Sequence, residues 1–316
     1  MIAKKQYQEA VVYFCNAVPL TVGTHYNNDY YKLVTHYQQA MILSSLGKYS
    51  EAAQCMNETG AMSAGDRQDH LFSDHQAHAL SLRAKQMTAI EAGKPGFLIT
   101  ALPRSASAFL SYAIADILDV PVLRASMGSF PHHTVVKNWA YNIGQGGCVT
   151  HDHFCGMEIN IRQLIEAGIK KVYVQVRDPR AAAWSYLHHT APSYRQQKQE
   201  VIIDDIIHRE YYPHAIRWIE SWIKAQEKYS DDIAVEFLLY DEVVCYTEKI
   251  LLRLLTPQHY PEISEYLKKT SAPDFKPIHF RKGQKGEWRE FIPKELQDVM
   301  WNMTSERVRN LLKMER

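Results

Sequence analysis

With 316 residues, 46% of them hydrophobic, and a formal net charge of +1, the chain has material for one sizeable hydrophobic core and a smaller second one. Neither a polybasic face nor an acidic tail shows in the composition, which excludes wholesale binding to nucleic acid or an anionic membrane; any charge that matters is local. The opening "MIAKKQYQEA" lacks the apolar centre of a signal peptide, no stretch reaches the roughly 20 apolar residues of a membrane helix, and cysteines at 15, 55, 148, 155 and 245 make no disulfide framework, so a cytoplasmic location is expected.

Up to residue 93, apolar residues recur at helical spacing and no run reads as a strand. Beyond it, short β-rich runs alternate with helical stretches. A helical segment 1–93 and an α/β domain 94–316 are therefore expected. In the first, "KQYQEAVVYF" and "GKYSEAAQCM" share a Tyr, Glu, Ala frame at Tyr7/Glu9/Ala10 and Tyr49/Glu51/Ala52. The second copy follows a helix with Ala40 and Leu43 on one side and resembles a tetratricopeptide repeat, whose small residues let paired helices pack closely. Such arrays stand alone only from about three repeats, so this segment is expected to pack on the second domain or belong to a longer array, and to offer a protein contact.

In the second domain, "GFLIT" (96–100), "VYVQV" (172–176) and "IAVEFLL" (233–239) are apolar enough for parallel strands covered on both faces. After the first, Phe109, Leu110, Ala113, Ile114, Ile117 and Leu118 form a helical stripe, so "PRSASA" is a strand-to-helix loop. The first N–H groups of such a helix lack partners and favour an anion, although this loop has neither glycine nor lysine. After the second strand, Asp178 is placed as a helix N-cap with Pro179 at the first helical position. Right-handed crossovers bring both loops to the carboxyl edge of one sheet. Arg177 and Ser185, two helical turns apart, then form a phosphate site distinct from that at Arg104. A third basic stretch, "FRKGQKGEW", carries Arg281, Lys282 and Lys285 among two glycines.

The order "LPRSASAF", "VYVQVRDPRAAAWSYLHH", "YDE", "FRKGQKGEW" resembles the PAPS-dependent sulfotransferase family over about the last 220 residues. The resemblance implies a P-loop-like α/β core with a parallel sheet, and a donor, PAPS, that leaves as PAP. It implies that Arg104, Ser105, Ala106, Ser107 and Ala108 hold the 5′-phosphosulfate, and that Arg177, Ser185, Arg281, Lys282 and Gly283 hold the 3′-phosphate. Phe109 falls where the family stacks an aromatic on adenine, with Tyr240 a second candidate. Many members have lysine where this chain has Arg104; arginine stabilises charge on the leaving phosphate but does not act as a general acid.

Transfer to an alcohol calls for a base, and in the family a Lys-Thr-His segment supplies a histidine. "GGCVTHDHFCG" points to His151 through "VTH", with Val149 in the lysine's place; His153 and Glu158 remain alternatives. Cys148, His151, His153 and Cys155 are ligand types at close spacing, yet one segment rarely makes a zinc site, and no metal is expected. "WIESWIKA" (218–225) keeps core helical spacing, while Trp139, Tyr141 and Phe154 offer an aromatic pocket for the acceptor, a small-molecule, lipid-like or carbohydrate hydroxyl. The alternatives are a P-loop-like kinase with Asp178 on magnesium, disfavoured because "LPRSASAF" does not fit G-x-x-x-x-G-K-[ST], and a non-catalytic nucleotide-binding scaffold.

Overall fold

The computed structural model describes residues 39–40, 43–44, 46–62, 67–190, 203–270 and 286–316. The chain divides into two compact units, Met1–Ala92 and Gly93–Arg316. In the first, helices α1 (Tyr49–Met62) and α2 (Arg67–Glu91) follow one another. Ala40, Leu43, Ala52, Cys55, Met56 and Ala77 are buried together there, the alanines allowing helices a close approach. The frame at Tyr49 thus opens α1, and the copy at Tyr7 lies outside the described residues. No described helix is long and apolar enough to cross a membrane.

The second unit is α/β with a parallel sheet. Its elements run β1 (Ile99–Ala101), α3 (Ser107–Leu118), β2 (Val122–Leu123), β3 (Ser126–Met127), β4 (Thr134–Val135), α4 (Lys137–Gly144), β5 (Val149–Thr150), α5 (Glu158–Glu166), β6 (Lys171–Val176), α6 (Pro179–Thr190), α7 (Tyr212–Lys228) and β7 (Ala234–Leu239). A short helix, α8 (Tyr240–Cys245), leaves the end of β7 directly. Strand β6 pairs in parallel with β1 on one side and β7 on the other, and β2 pairs in parallel with β5. Parallel bridges Phe97↔Val149 and Thr100↔Asp152 join β5 to β1, so the order across is β2, β5, β1, β6, β7. The chain leaves β1 toward one edge and later crosses to the other, which makes the carboxyl end of β1 a topological switch point.

Regular pairing of β1 begins only at Ile99, later than the apolar run at 96 predicts, because a side chain enters the ladder. The Thr150 hydroxyl accepts from Ile99 N at 2.7 Å and donates to Ile99 O at 2.8 Å, where backbone would otherwise pair with backbone. The segment beyond Thr150 is pinned from α7: Trp218 Nε1 donates to His153 O at 2.9 Å and Gly156 N donates to Ser221 Oγ at 2.8 Å. Gly156 passes so near α7 that a Cβ would lie 2.6 Å from Ser221 O. Trp218, Ile219 and Trp222 are buried as the helical spacing predicts. Phe154, expected to line an acceptor pocket, instead lies wholly buried against Trp222, ring centroids 5.8 Å apart, while Trp139 and Tyr141 on α4 are exposed. The α7 tryptophans need an aromatic partner under the sheet, and Phe154 provides it.

Thr150→Val keeps the shape of the side chain and leaves the buried Ile99 N–H without its acceptor. We expect a loss of about 1–3 kcal/mol in urea unfolding, with Thr150→Ser retaining most of the stability. A wild-type midpoint for the valine variant would show that the backbone closes the ladder unaided.

Candidate active site

The loop between β1 and α3 is made entirely of non-glycine residues, yet Arg104 (φ 71°) and Ala106 (φ 64°) are left-handed. Each such residue costs roughly 1–2 kcal/mol, and strain of this kind concentrates where backbone must meet a ligand. Hydrogen bonds from within the loop and from elsewhere hold it. Leu102 N donates to Gln175 O at 2.9 Å, and the Ser105 hydroxyl donates to Leu102 O at 2.5 Å. Tyr211 OH donates to Pro103 O at 2.6 Å, Arg177 Nη1 to Arg104 O at 3.0 Å, and Gln175 Nε2 to Ser105 O. No side chain caps α3, and the first helical bond there is Leu110 N to Ala106 O at 3.3 Å. The amides of Ser107, Ala108 and Phe109 therefore form a helix N-terminus suited to an anion.

Residues far apart in sequence gather at this loop. Arg104 Nε lies 3.3 Å from Ser185 Oγ on α6. The Arg177 guanidinium rests over the ring of Tyr240 at 4.0 Å, and Tyr240, itself buried, supports Arg177 from below. A cleft of about 330 Å³ opens beside them, lined among others by Arg177, Tyr240, Asp241, Trp288 and Arg289. Asp178 accepts from Arg180 N at 2.9 Å, the predicted N-cap, and takes Arg180 Nη2 at 2.8 Å in an ion pair. Ser105, Ser107 and Ala108 are buried, Arg104, Ala106 and Phe109 partly so. Arg281, Lys282 and Gly283 lie outside the described residues.

On the other flank of the α3 N-terminus, His151 Nε2 is 2.9 Å from Ser107 Oγ. His151 and His153 have ring centroids 5.3 Å apart, so both face the same side as an extended segment predicts. His153 is partly buried. Its Nδ1 meets Ala101 O at 2.8 Å, and burial lowers its pKa, with that hydrogen bond pulling the other way. Glu158 is not brought to the site: it stands exposed in the first turn of α5, bonded to Lys228 at 2.9 Å and to Arg162, cations that hold its carboxyl below the usual range. Cys148 and Cys155 are buried, and no group of ligand side chains among the described residues could hold a metal.

Three residues important to this geometry escape the sequence patterns. Gln175 is a lone amide in the apolar run "VYVQV", an anomaly that marks it. Asp152, between two histidines, is fully buried; its carboxylate accepts from Ala125 N at 2.6 Å and from Ser126 Oγ at 2.5 Å. Burial lifts Asp152 to about 6 against those bonds, and burial with neighbouring His153 and Arg124 drops His133 to about 4. Tyr211 carries no signal, because nothing local relates it to Pro103.

No family model and no curated protein matches this chain. Among solved structures, that of a mouse sulfotransferase, SULT7A1, complexed with PAP matches over 72% of this chain and 92% of its own, at 14% identity and a TM-score of 0.47. A likeness at that level transfers no residue's role.

The two buried groups oppose one another in pH dependence. Folded Asp152 keeps its proton to about pH 6 rather than its ordinary 3.8, so its contribution to stability falls as pH rises through that window. Folded His133 keeps its proton only to about pH 4 rather than 6.5, so its contribution grows as pH rises from there. Asp152→Asn removes the first trend and leaves the second. Melting temperature plotted against pH should therefore climb more steeply between about pH 4 and 6 in the variant than in wild type. Parallel curves would mean that Asp152 does not titrate there.

Proposed function

We propose that this chain is a sulfotransferase that moves a sulfuryl group from PAPS to an acceptor hydroxyl. The observation that carries this reading is the convergence at one left-handed loop of Arg104, Arg177 and Ser185 on one flank and of His151 on the other, through contacts of 3.3, 3.0 and 2.9 Å. Two cationic side chains from separate elements beside a helix N-terminus suit a donor with two anionic ends. In this reading the amides after Arg104 and the Ser107 hydroxyl meet the 5′-phosphosulfate. Arg177 and Ser185 meet the 3′-phosphate, together with Arg281, Lys282 and Gly283. Phe109 lies against adenine, and Tyr240 acts by holding Arg177.

The chemistry follows from those placements. The acceptor oxygen forms a bond to sulfur while the bond from sulfur to the bridging phosphate oxygen breaks, releasing PAP. The acceptor proton passes to His151, which is neutral when it acts as base. Negative charge grows on the bridging oxygen, where Arg104 and the α3 amides stabilise it more in the transition state than in the ground state. A magnesium-dependent kinase fits less well, because Asp178, the carboxylate it would use, is held by Arg180 through Nε at 3.1 Å and Nη2 at 2.8 Å. The acceptor is a small-molecule, lipid-like or carbohydrate hydroxyl.

PAP without magnesium should raise the melting temperature, and ATP should raise it much less. Arg177→Ala should weaken PAP binding by about 2–4 kcal/mol and Ser185→Ala by about 1 kcal/mol in isothermal titration. Stronger, magnesium-dependent stabilisation by ATP would favour the kinase instead.

Turnover separates the two flanks. Arg104→Ala should lower kcat by about 10²- to 10³-fold, with Arg104→Lys retaining part of the rate. His151→Ala should cost about 10²- to 10⁴-fold and abolish the acidic limb of the pH–rate profile. A limb that survives in His151→Ala and disappears in His153→Ala would move the base to His153.

A further inference from the structure

Behind His151 runs a line of buried polar groups that the proposed reaction does not use. Asp152, with no exposed surface, accepts from Ala125 N and from the Ser126 hydroxyl at 2.6 and 2.5 Å. A hydroxyl that donates its one proton to a carboxylate can only accept from a further group. Ser126 Oγ lies 3.3 Å from His133 Nδ1, so that nitrogen carries the proton. His153 Nδ1 faces the Ala101 carbonyl at 2.8 Å, and a carbonyl can only accept, so His153 has the same tautomer. The rings then meet edge to face: His133 to His153 at 5.7 Å and 72°, His153 to His151 at 5.3 Å and 77°.

We propose that Asp152, Ser126, His133 and His153 are positioning residues for His151, a buried chain that fixes the tautomers of its histidines and holds the His151 ring with Nε2 toward Ser107. The proposal rests on His151 being the base. The fold itself has no need of an acid at this point. A carboxylate out of contact with water is expensive to bury, and an amide of the same shape would still offer Ala125 N an acceptor. What the carboxylate adds is a proton acceptor that orders Ser126, and through it His133. It also adds a negative charge opposite Arg124, whose positive charge acts on His133, Asp152 and His153 alike. The groups facing the three rings come from separate elements: Arg124 after β2, Asp152 from their own segment, and Tyr112 of α3, 6.4 Å from His151 by ring centroid. Burial keeps His133 and His153 neutral near pH 7, so each holds one proton in a defined place rather than two.

The test uses the full chain with ¹⁵N-labelled histidine, read by NMR without donor or acceptor. His133 and His153 should appear as Nδ1–H tautomers across the neutral range. Asp152→Asn removes the acceptor that orders Ser126, so the His133 tautomer should become mixed. Ser126→Ala, a milder change, should mix the His133 tautomer as well. In turnover, His153→Phe should lower kcat about tenfold with the KM for donor unchanged. His153→Asn, whose amide can still donate to Ala101 O, should recover part of that loss. An unaltered His133 tautomer in Asp152→Asn and Ser126→Ala would overturn the proposal. Normal turnover by His151→Ala would overturn the base itself, a result that the tautomer measurement does not depend on.

Discussion

Four consecutive carbonyl oxygens decide what the loop after β1 can do. Leu102 O accepts from Ser105, Pro103 O from Tyr211, Arg104 O from Arg177 and Ser105 O from Gln175. The donors come from the loop itself, from β6 and the residue after it, and from the approach to α7. With every carbonyl drawn to a fixed partner, the peptide planes are set, and Arg104 and Ala106 hold their left-handed conformations without glycine. The amides at the start of α3 then remain for an anion. Anion-binding loops in other α/β proteins commonly use glycine, which lacks the steric penalty. Here side-chain hydrogen bonds offset that penalty, and one of them, from Arg177, also sets a cation beside the loop.

The α3 N-terminus divides two electrostatic environments. Toward α6 lie Arg104 and Arg177, partly exposed and suited to multiply charged oxygens. Toward β5 lies a cluster of histidines around a buried carboxyl, where desolvation outweighs hydrogen bonding at Asp152 and, with the charges of His153 and Arg124, acts on His133, favouring the neutral form of each. The positive end of the α3 dipole favours an anion at the loop.

Not every charged contact carries such weight. Glu158 with Lys228 and Arg162 forms a conspicuous cluster, but all three are exposed, and solvent screens pairs of this kind until they contribute little. Arg180 is the opposite case. It is only 2% exposed, held by Asp178, covered by Trp288 at 4.3 Å, and donates to Glu315 O at 2.8 Å. Through Arg180 the C-terminal residues are fastened to the start of α6, beside the cleft at Arg177, and the Asp178 carboxylate is engaged.

Local patterns in the sequence determined the elements and the order of the basic loops. Apolar runs, the stripe from Phe109 to Leu118, and Asp178 followed by Pro179 are signals between neighbours in the chain, and strand, helix and N-cap depend on neighbours. They placed Arg104, Arg177 and Ser185 at the carboxyl edge of a parallel sheet, because crossover handedness leaves few alternatives, whereas only the family resemblance of "VTH" pointed to His151. Only the tertiary structure decided what holds them there. Tyr211 and Pro103, Thr150 and Ile99, Asp152 and Ser126 are hydrogen-bonded across 108, 51 and 26 positions, pairings that no periodicity encodes. The same holds for burial. Phe154 and Glu158 lie near the histidines in sequence, yet packing against Trp222 takes the first into the core and solvent keeps the second outside. A residue's type shows which chemistry it can perform; its desolvation, and hence its protonation, belongs to the surroundings that the fold assembles.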